Sequence, residues 1–440
     1  MAEMQKDVLE RITDWRGKAV VVALASLAVA VALGFIAVGT GPLVRALLIS
    51  FVWPLGLTLG SLVLLMIQYC TGGYWGYVMR RSLEAATRTL PALGVIFALI
   101  AVLGLTGFFH LVPDGVVNEN PRLNAVSTEK LWPWADETVH MEHHEELVLE
   151  AKKGYLNIPF FAIRAVGAFA LWIALAMALG NVARREDAEG TSQKLRDSGL
   201  FFSGPGIVLY SISILFVSTD WSMSLQPLWF SSMFPVIFGF GQLVGALAFN
   251  TLLFVLIRTG REDLSSSRNK KIMRDLGSLL LGFLIFWTYI SFSQYLLIWS
   301  TNLKEEVPFF IARSSGGWEL LSWVLALGHF VIPFFVLLLR DVSRSGKWLA
   351  IMAGFMVLMR FVDIYWQMKP AFRPGDWNFA SLETVMDMAA AVGLLGLWFW
   401  LYLGQLAKFD LLPANDDRKA TEPVHTVSDD VEIAGISHAR

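Results

Sequence analysis

One cysteine, Cys70, is all the thiol in the chain. A single thiol excludes an internal disulfide, c-type haem attachment through CxxCH and a four-cysteine iron–sulfur cluster. Charge is scarce as well: Asp, Glu, Lys and Arg make up 16% of the residues, against roughly 25% in soluble domains. A formal net charge of −2 leaves no surplus of cations for a phosphate backbone, which argues against nucleic acid as a partner. There is no GxxxxGK(S/T) run, and glycine pairs never follow a strand-like stretch, so nucleotide binding has no support. Of seven histidines, only His329 lies well inside an apolar run, with His110 at the end of another. Haem b held by two imidazoles needs a facing pair at matched depth, and His329 has no obvious mate.

Apolar residues are what the chain has in quantity, at 55% of 440 with a mean hydropathy of +0.55. A spanning helix needs ~20 largely apolar residues. Ten segments qualify: 19–38, 43–69, 90–110, 158–180, 202–218, 229–257, 276–299, 318–340, 347–368 and 381–406. The first run exceeds the ~7–15 residues of a signal-peptide core and reads as an uncleaved helix. The expected fold is therefore an all-α polytopic membrane protein with ten transmembrane helices. Its parts are an N-tail (1–18), a membrane domain (19–410) and a polar C-tail (411–440), with lipid as its surroundings.

Lys and Arg fix the expected orientation. They concentrate in the N-tail (Lys6, Arg11, Arg16, Lys18), in the even-numbered connections, most densely from Arg258 to Arg274, and in the C-tail. The odd-numbered connections are poor in them. Both termini are expected to be cytoplasmic, which agrees with an even number of spans. The longest outer connection, 111–157, contains His140, Glu142, His143, His144 and Glu146. His140 and His144 share a helical face as metal ligands often do, yet an exposed amphipathic stretch suited to an extracytoplasmic partner is the better reading, and no metal is expected.

Ionisable groups inside a membrane are functional candidates that need partners or water. Arg360, Asp363 and Gln367 share one face of the ninth helix, and Glu383 and Asp387 one face of the tenth. Glu319 lies near the outer end of the eighth helix, with His329 about 16 Å deeper at ~1.5 Å per residue. Arg164 on the fourth helix, and Tyr289, Ser291 and Gln294 on the seventh, complete the set with Asp220. These faces are expected to meet in the outer half. The inner half offers only Asn250, Gln242, Tyr210, Gln68 and Thr58. Each ion pair alone reads as glue between helices; together they read as a proton path through His329 and the carboxylates.

The connection from Ser218 to Phe234, STDWSMSLQPLWFSSMF, is the most distinctive stretch. Read blandly, it is an interfacial loop anchored by Trp221 and Trp229. It also resembles a hallmark of the NrfD-like membrane subunits of bacterial alternative complex III. Three further stretches resemble the same family: SFSQYLLIWSTNLKEEVPFFIARSSGGW (Ser291 to Trp318), GHFVIPFFVLLLR (Gly328 to Arg340) and VDIYWQMKP (Val362 to Pro370). The first four helices match only in number, length and topology. The resemblance implies two four-helix bundles, helices 2–5 and 6–9, flanked by helices 1 and 10.

It also implies a subunit of a quinol:electron-acceptor (cytochrome c) oxidoreductase in respiratory or photosynthetic electron transport, in a bacterial inner membrane. Expected partners are a homologous quinol-binding membrane subunit, an iron–sulfur subunit and multihaem cytochrome c subunits. Haem c and iron–sulfur clusters would then sit in the partners, with quinol nearby and no cofactor on this chain. Quinol-site relatives of the ActC type carry histidine after the hallmark tryptophan. Here Phe230 follows Trp229, so the chain looks like the ActF type, and a phenylalanine cannot take a quinol proton. Two other readings stay open: that this chain itself oxidises quinol, or that it is an independent proton-coupled transporter.

Overall fold

In a computed structural model, residues 2–106, 130–136, 143–190, 192–258, 267–339, 341–342, 345–373 and 377–409 are described. Ten helices are long and apolar enough to cross a membrane, and there is no strand among the described residues. They are α1 (Leu9–Val38), α2 (Thr40–Thr71), α3 (Trp75–Thr106), α4 (Ile158–Glu189), α5 (Gln193–Leu225), α6 (Phe234–Ile257), α7 (Asn269–Thr301), α8 (Trp318–Leu338), α9 (Gly346–Ala371) and α10 (Leu382–Leu406). The chain is an all-α, multi-pass membrane protein.

Several helices extend past the apolar runs that announce them. The α3 helix starts 15 residues before the run at 90–110, because Arg80 and Arg81 are buried and Arg88 is half-buried, rather than lying in a connection. They neutralise carboxylates on α3 and α4, so the helix tolerates charges that a hydropathy reading treats as its end. Upstream of α1 the helix begins at Ala2, so the residues expected as an N-tail continue it. The C-tail beyond 409 lies outside the described residues.

The α2 helix is the axis of the molecule, with 94% of its apolar window buried, against 17% for peripheral α1. A helix apolar all round belongs inside, and α2 packs on α3, α5, α6, α9 and α10. Small residues bring it close to α6: a Cβ at Gly60 would collide with the Gln242 carbonyl oxygen, and Gly56 faces the Gln242 side chain. Without a solvophobic force between helices in lipid, such close backbone approach supplies the dispersion that holds them. Gly393 and Gly396 do the same for α10 against Leu27 and Ala23 of α1. Contacts run round α2–α5 and round α6–α9, and α2 lies along α6 about as extensively as along α3. Helices 2 and 6 thus lie together at the centre of one core.

Candidate functional site

The hallmark stretch begins as the last turns of α5. Asp220, 1% exposed, faces Arg164 of α4 in a two-pronged pair: Arg164 Nε donates to Oδ2 (2.6 Å) and Nη2 to Oδ1 (2.9 Å). Arg164 also donates to the Tyr155 carbonyl (3.1 Å) and lies over the Tyr155 and Phe160 rings at 3.9 and 4.4 Å. Burial, followed by the Asp220 charge, raises the pKa of the Tyr155 phenol. A buried pair is tolerable only when its remaining valences are filled, and here they are.

Trp221 and Trp229 are not belt anchors. Trp221 is fully buried, stacked on Phe97 at 3.9 Å with Phe169 and Trp172 beside it. Trp229 is buried against Phe309 at 4.0 Å. Ring stacking inside the protein keeps these indoles from the interface; among the described residues the exposed tryptophans are Trp299, Trp323 and Trp348.

The rest of the stretch is tied to the other segments that carry the resemblance. Gln294 Nε2 donates to Ser231 Oγ (2.9 Å), which also accepts from the Met233 and Phe234 amides and so caps α6. Gln294 therefore holds the loop. Arg313 lies over Phe309 at 3.4 Å and donates to the carbonyls of Phe309 (2.6 Å), Trp366 (3.0 Å) and Gln367 (2.6 Å). The Trp377 amide bonds the Gly316 carbonyl (2.8 Å), and Gly317, at φ +92°, leaves no room for a Cβ against Trp377. One continuous shell results, built from the connections α5–α6, α7–α8 and α9–α10. At its edge Phe230 is 54% exposed, with Lys152 Nζ 5.9 Å from its ring centroid and donating to the Pro227 carbonyl (2.6 Å). Burial lowers the Lys152 pKa.

Arg360 and Asp363 form a second buried ion pair, one turn apart on α9. Gln367 Nε2 donates to Asp363 Oδ1 (2.9 Å), and Arg360 packs on Gly241 and Gly245 of α6, which admit it because they lack side chains. Nearby Tyr210 donates to Gln242 Oε1 (2.8 Å). His329 on α8 is wholly buried, its ring 4.3 Å from that of Trp287 on α7.

A third group sits between α9 and α10: Lys369 reaches Glu383 and Asp387 at 2.7 Å each, Tyr365 donates to Asp387 (2.8 Å), and Arg373 holds Glu383 (2.8 Å). Lys369 reads in the sequence as a loop charge; its spacing from the α10 acids becomes visible only once α9 and α10 are known to be adjacent.

Two candidates fall outside these groups. Tyr289 is 67% exposed because it lies about 200° round α7 from the buried stripe through Trp287 and Ser291. Glu319 is exposed and accepts from the Gly317 amide (2.9 Å), closing the first turn of α8. The expected single cluster is thus three separate ones: Arg164–Asp220, Arg360–Asp363, and Lys369 with Glu383 and Asp387.

The opposite half is richer than the sequence implies. Glu84 accepts from Arg80 (3.0 Å), Arg81 (3.0 Å) and Arg88 (3.2 Å). Arg80 continues to Glu186 and Arg81 to Asp187 on α4. Ser82 links this group to Asn250 and to Tyr402 (2.7 Å); Asn250 reaches Ser61 (3.2 Å), while Trp398 donates to Thr58 (2.8 Å) and Thr89 (3.1 Å). Polar side chains thus climb from the end bearing the termini to mid-core. Between Asn250 and Gln242, about 12 Å apart on α6 at ~1.5 Å per residue, the chain is apolar from Leu243 to Phe249.

No group of three or more His, Cys, Asp or Glu side chains suited to a metal is found among the described residues. His140 and Glu142 lie outside the described residues; from His143 the backbone is helical to Lys152. The chain matches no family model and no curated protein.

Proposed function

We propose that this chain is the ActF-type, NrfD-like membrane subunit of a bacterial quinol:electron-acceptor oxidoreductase. It scaffolds the quinol-oxidising homologue and offers a proton path. The observation that carries this reading is the shell described above. Trp229, Ser231, Gln294, Arg313, Gly316, Gly317, Trp318, Trp366 and Gln367 come from three of the four stretches quoted for the resemblance, and they contact one another or a shared neighbour. A pattern spread over about 150 residues of the chain that folds into one shell supports reading it as a single signature.

In this reading the protein sits in the inner membrane with cytoplasmic termini, as two bundles joined through α2 and α6. Haem c and iron–sulfur centres belong to its partners. Phe230 stands where a quinol site would want a base, so quinol oxidation falls to the homologue. The ion pairs at the hallmark-loop end and the polar ladder at the terminal end form two half-paths, separated by the apolar stretch of α6. Proton passage requires water or side-chain movement across that gap.

Photolabelling of native membranes with a reactive quinone analogue tests this division of labour. The label is expected on the homologous subunit; saturable label on this chain would make it the quinol site instead. The transporter reading gains one observation, the break in α8 beside His329. Substrate-dependent ion flux by the isolated chain in liposomes would favour it.

A further inference from the structure

The α8 helix is α-helical to Val324, π-helical over Leu325–Val331 and α-helical again from Ile332. The sequence explains the break: Pro333 has no N–H for the His329 carbonyl, which an unbroken α-helix would pair with residue 333, and its ring crowds that carbonyl. A π turn relieves both faults and changes which way the residues before it face. His329 then lies on α7, its ring 4.3 Å from Trp287 and no part of it exposed.

Five polar atoms at this seam are buried without a hydrogen-bond partner: both ring nitrogens of His329, Trp287 Nε1, Thr288 Oγ1 and Ser291 Oγ. Trp287 and Ser291 stand one turn apart, and Thr288 and Ser291 share a face, so the three converge on the α8 side of α7. Buried polar atoms are nearly always paired, and in lipid the cost of leaving them unpaired is larger than in a soluble core. The set mixes donors, acceptors and hydroxyls that act as either. That mixture suits water, which makes ~3 hydrogen bonds at a buried site.

We propose that the π turn at Pro333 aims His329 into a buried water site between α7 and α8, with Trp287, Thr288 and Ser291 as its other ligands. Arg360 Nε and Gln367 Oε1 on α9 and Gln242 Nε2 on α6 are also buried without partners, which gives the hydration a route towards the Arg360–Asp363 pair. The site stands independently of the oxidoreductase assignment; where both hold, it hydrates the deepest histidine of the proposed path.

Pulsed hydroxyl-radical footprinting of the full chain in its native membrane tests this, because radicals formed from buried water modify the side chains beside it. Trp172 and Trp398 serve as controls, since both are buried and both already donate to protein hydroxyls. Trp287 and His329 are expected to be modified faster than the controls, and that excess to be lost in Thr288→Val/Ser291→Ala, which keeps the packing and removes the hydroxyls. Modification of Trp287 and His329 at the control rate in the wild-type protein would overturn the proposal. So would a fast rate that persists in a folded double variant.

Discussion

Replacing Arg164 with Met leaves Asp220 as a carboxylate that is 1% exposed and has lost both guanidinium bonds. Stranding one member of a buried pair destabilises by about 3–5 kcal/mol. Arg164 also gives up its bond to the Tyr155 carbonyl and its stacking on Tyr155 and Phe160. The stacking adds about 0.5–2 kcal/mol and the carbonyl bond about 1.5–3 kcal/mol. Because these terms overlap, a total of about 4–6 kcal/mol is expected. The double variant Arg164→Met/Asp220→Leu removes the stranded charge, so it should recover most of the pair's share and retain a deficit of about 1–3 kcal/mol from the Tyr155 contacts. Reversible unfolding in bicelles, read by a probe on α4, measures all three proteins. A loss under about 1 kcal/mol in the single variant, or a double variant no better than the single, would refute the argument that the pair is buried and mutually compensating.

Gly60→Ala places a Cβ against the Gln242 carbonyl, a backbone atom that cannot step aside; a loss of about 1–3 kcal/mol is expected from overpacking, while Gly41→Ala, with nothing near its Cβ, should be neutral in the same unfolding assay. Cys70, the one thiol in the sequence, is exposed at the end of α2 nearer the termini; a membrane-impermeant maleimide should label it in inside-out vesicles and not from the outer face, and the reverse would invert the proposed orientation. His329→Phe preserves an aromatic ring against Trp287 and removes the proton acceptor, so the proton-to-electron ratio of the assembled complex should fall while assembly persists. Normal turnover with a normal proton yield would leave the buried pairs as helix glue alone.

The ten spans are legible because each has an apolar run near the length of a bilayer, and the all-α class follows from that. Helix ends are not legible where charge is buried: Arg80, Arg81 and Arg88 look like a connection until Glu84, Glu186 and Asp187 are seen to neutralise them. Spacing along one helix finds pairs such as Arg360–Asp363, since i and i+3 meet wherever the helix goes. Pairs between helices depend on which neighbours touch, so Arg164–Asp220 could be named only as candidates and Lys369 was hidden among loop charges. Tyr289 shows the converse error, a polar residue assigned inward although its wheel position opposes the buried stripe of α7. The cause of the π turn, Pro333, is plain in the sequence; its consequence for His329 required the packing of α7.

The central proposal is that this chain assembles with redox partners that hold haem c and iron–sulfur centres. Purification through an affinity tag on this chain, in mild detergent, followed by haem c and iron analysis and a quinol oxidation assay, tests it most directly. The account predicts covalently bound haem and iron–sulfur iron in the same particle, with quinol:acceptor activity that is lost when the tagged chain is stripped away. A stable, haem-free and iron-free monomer from native membranes would contradict it.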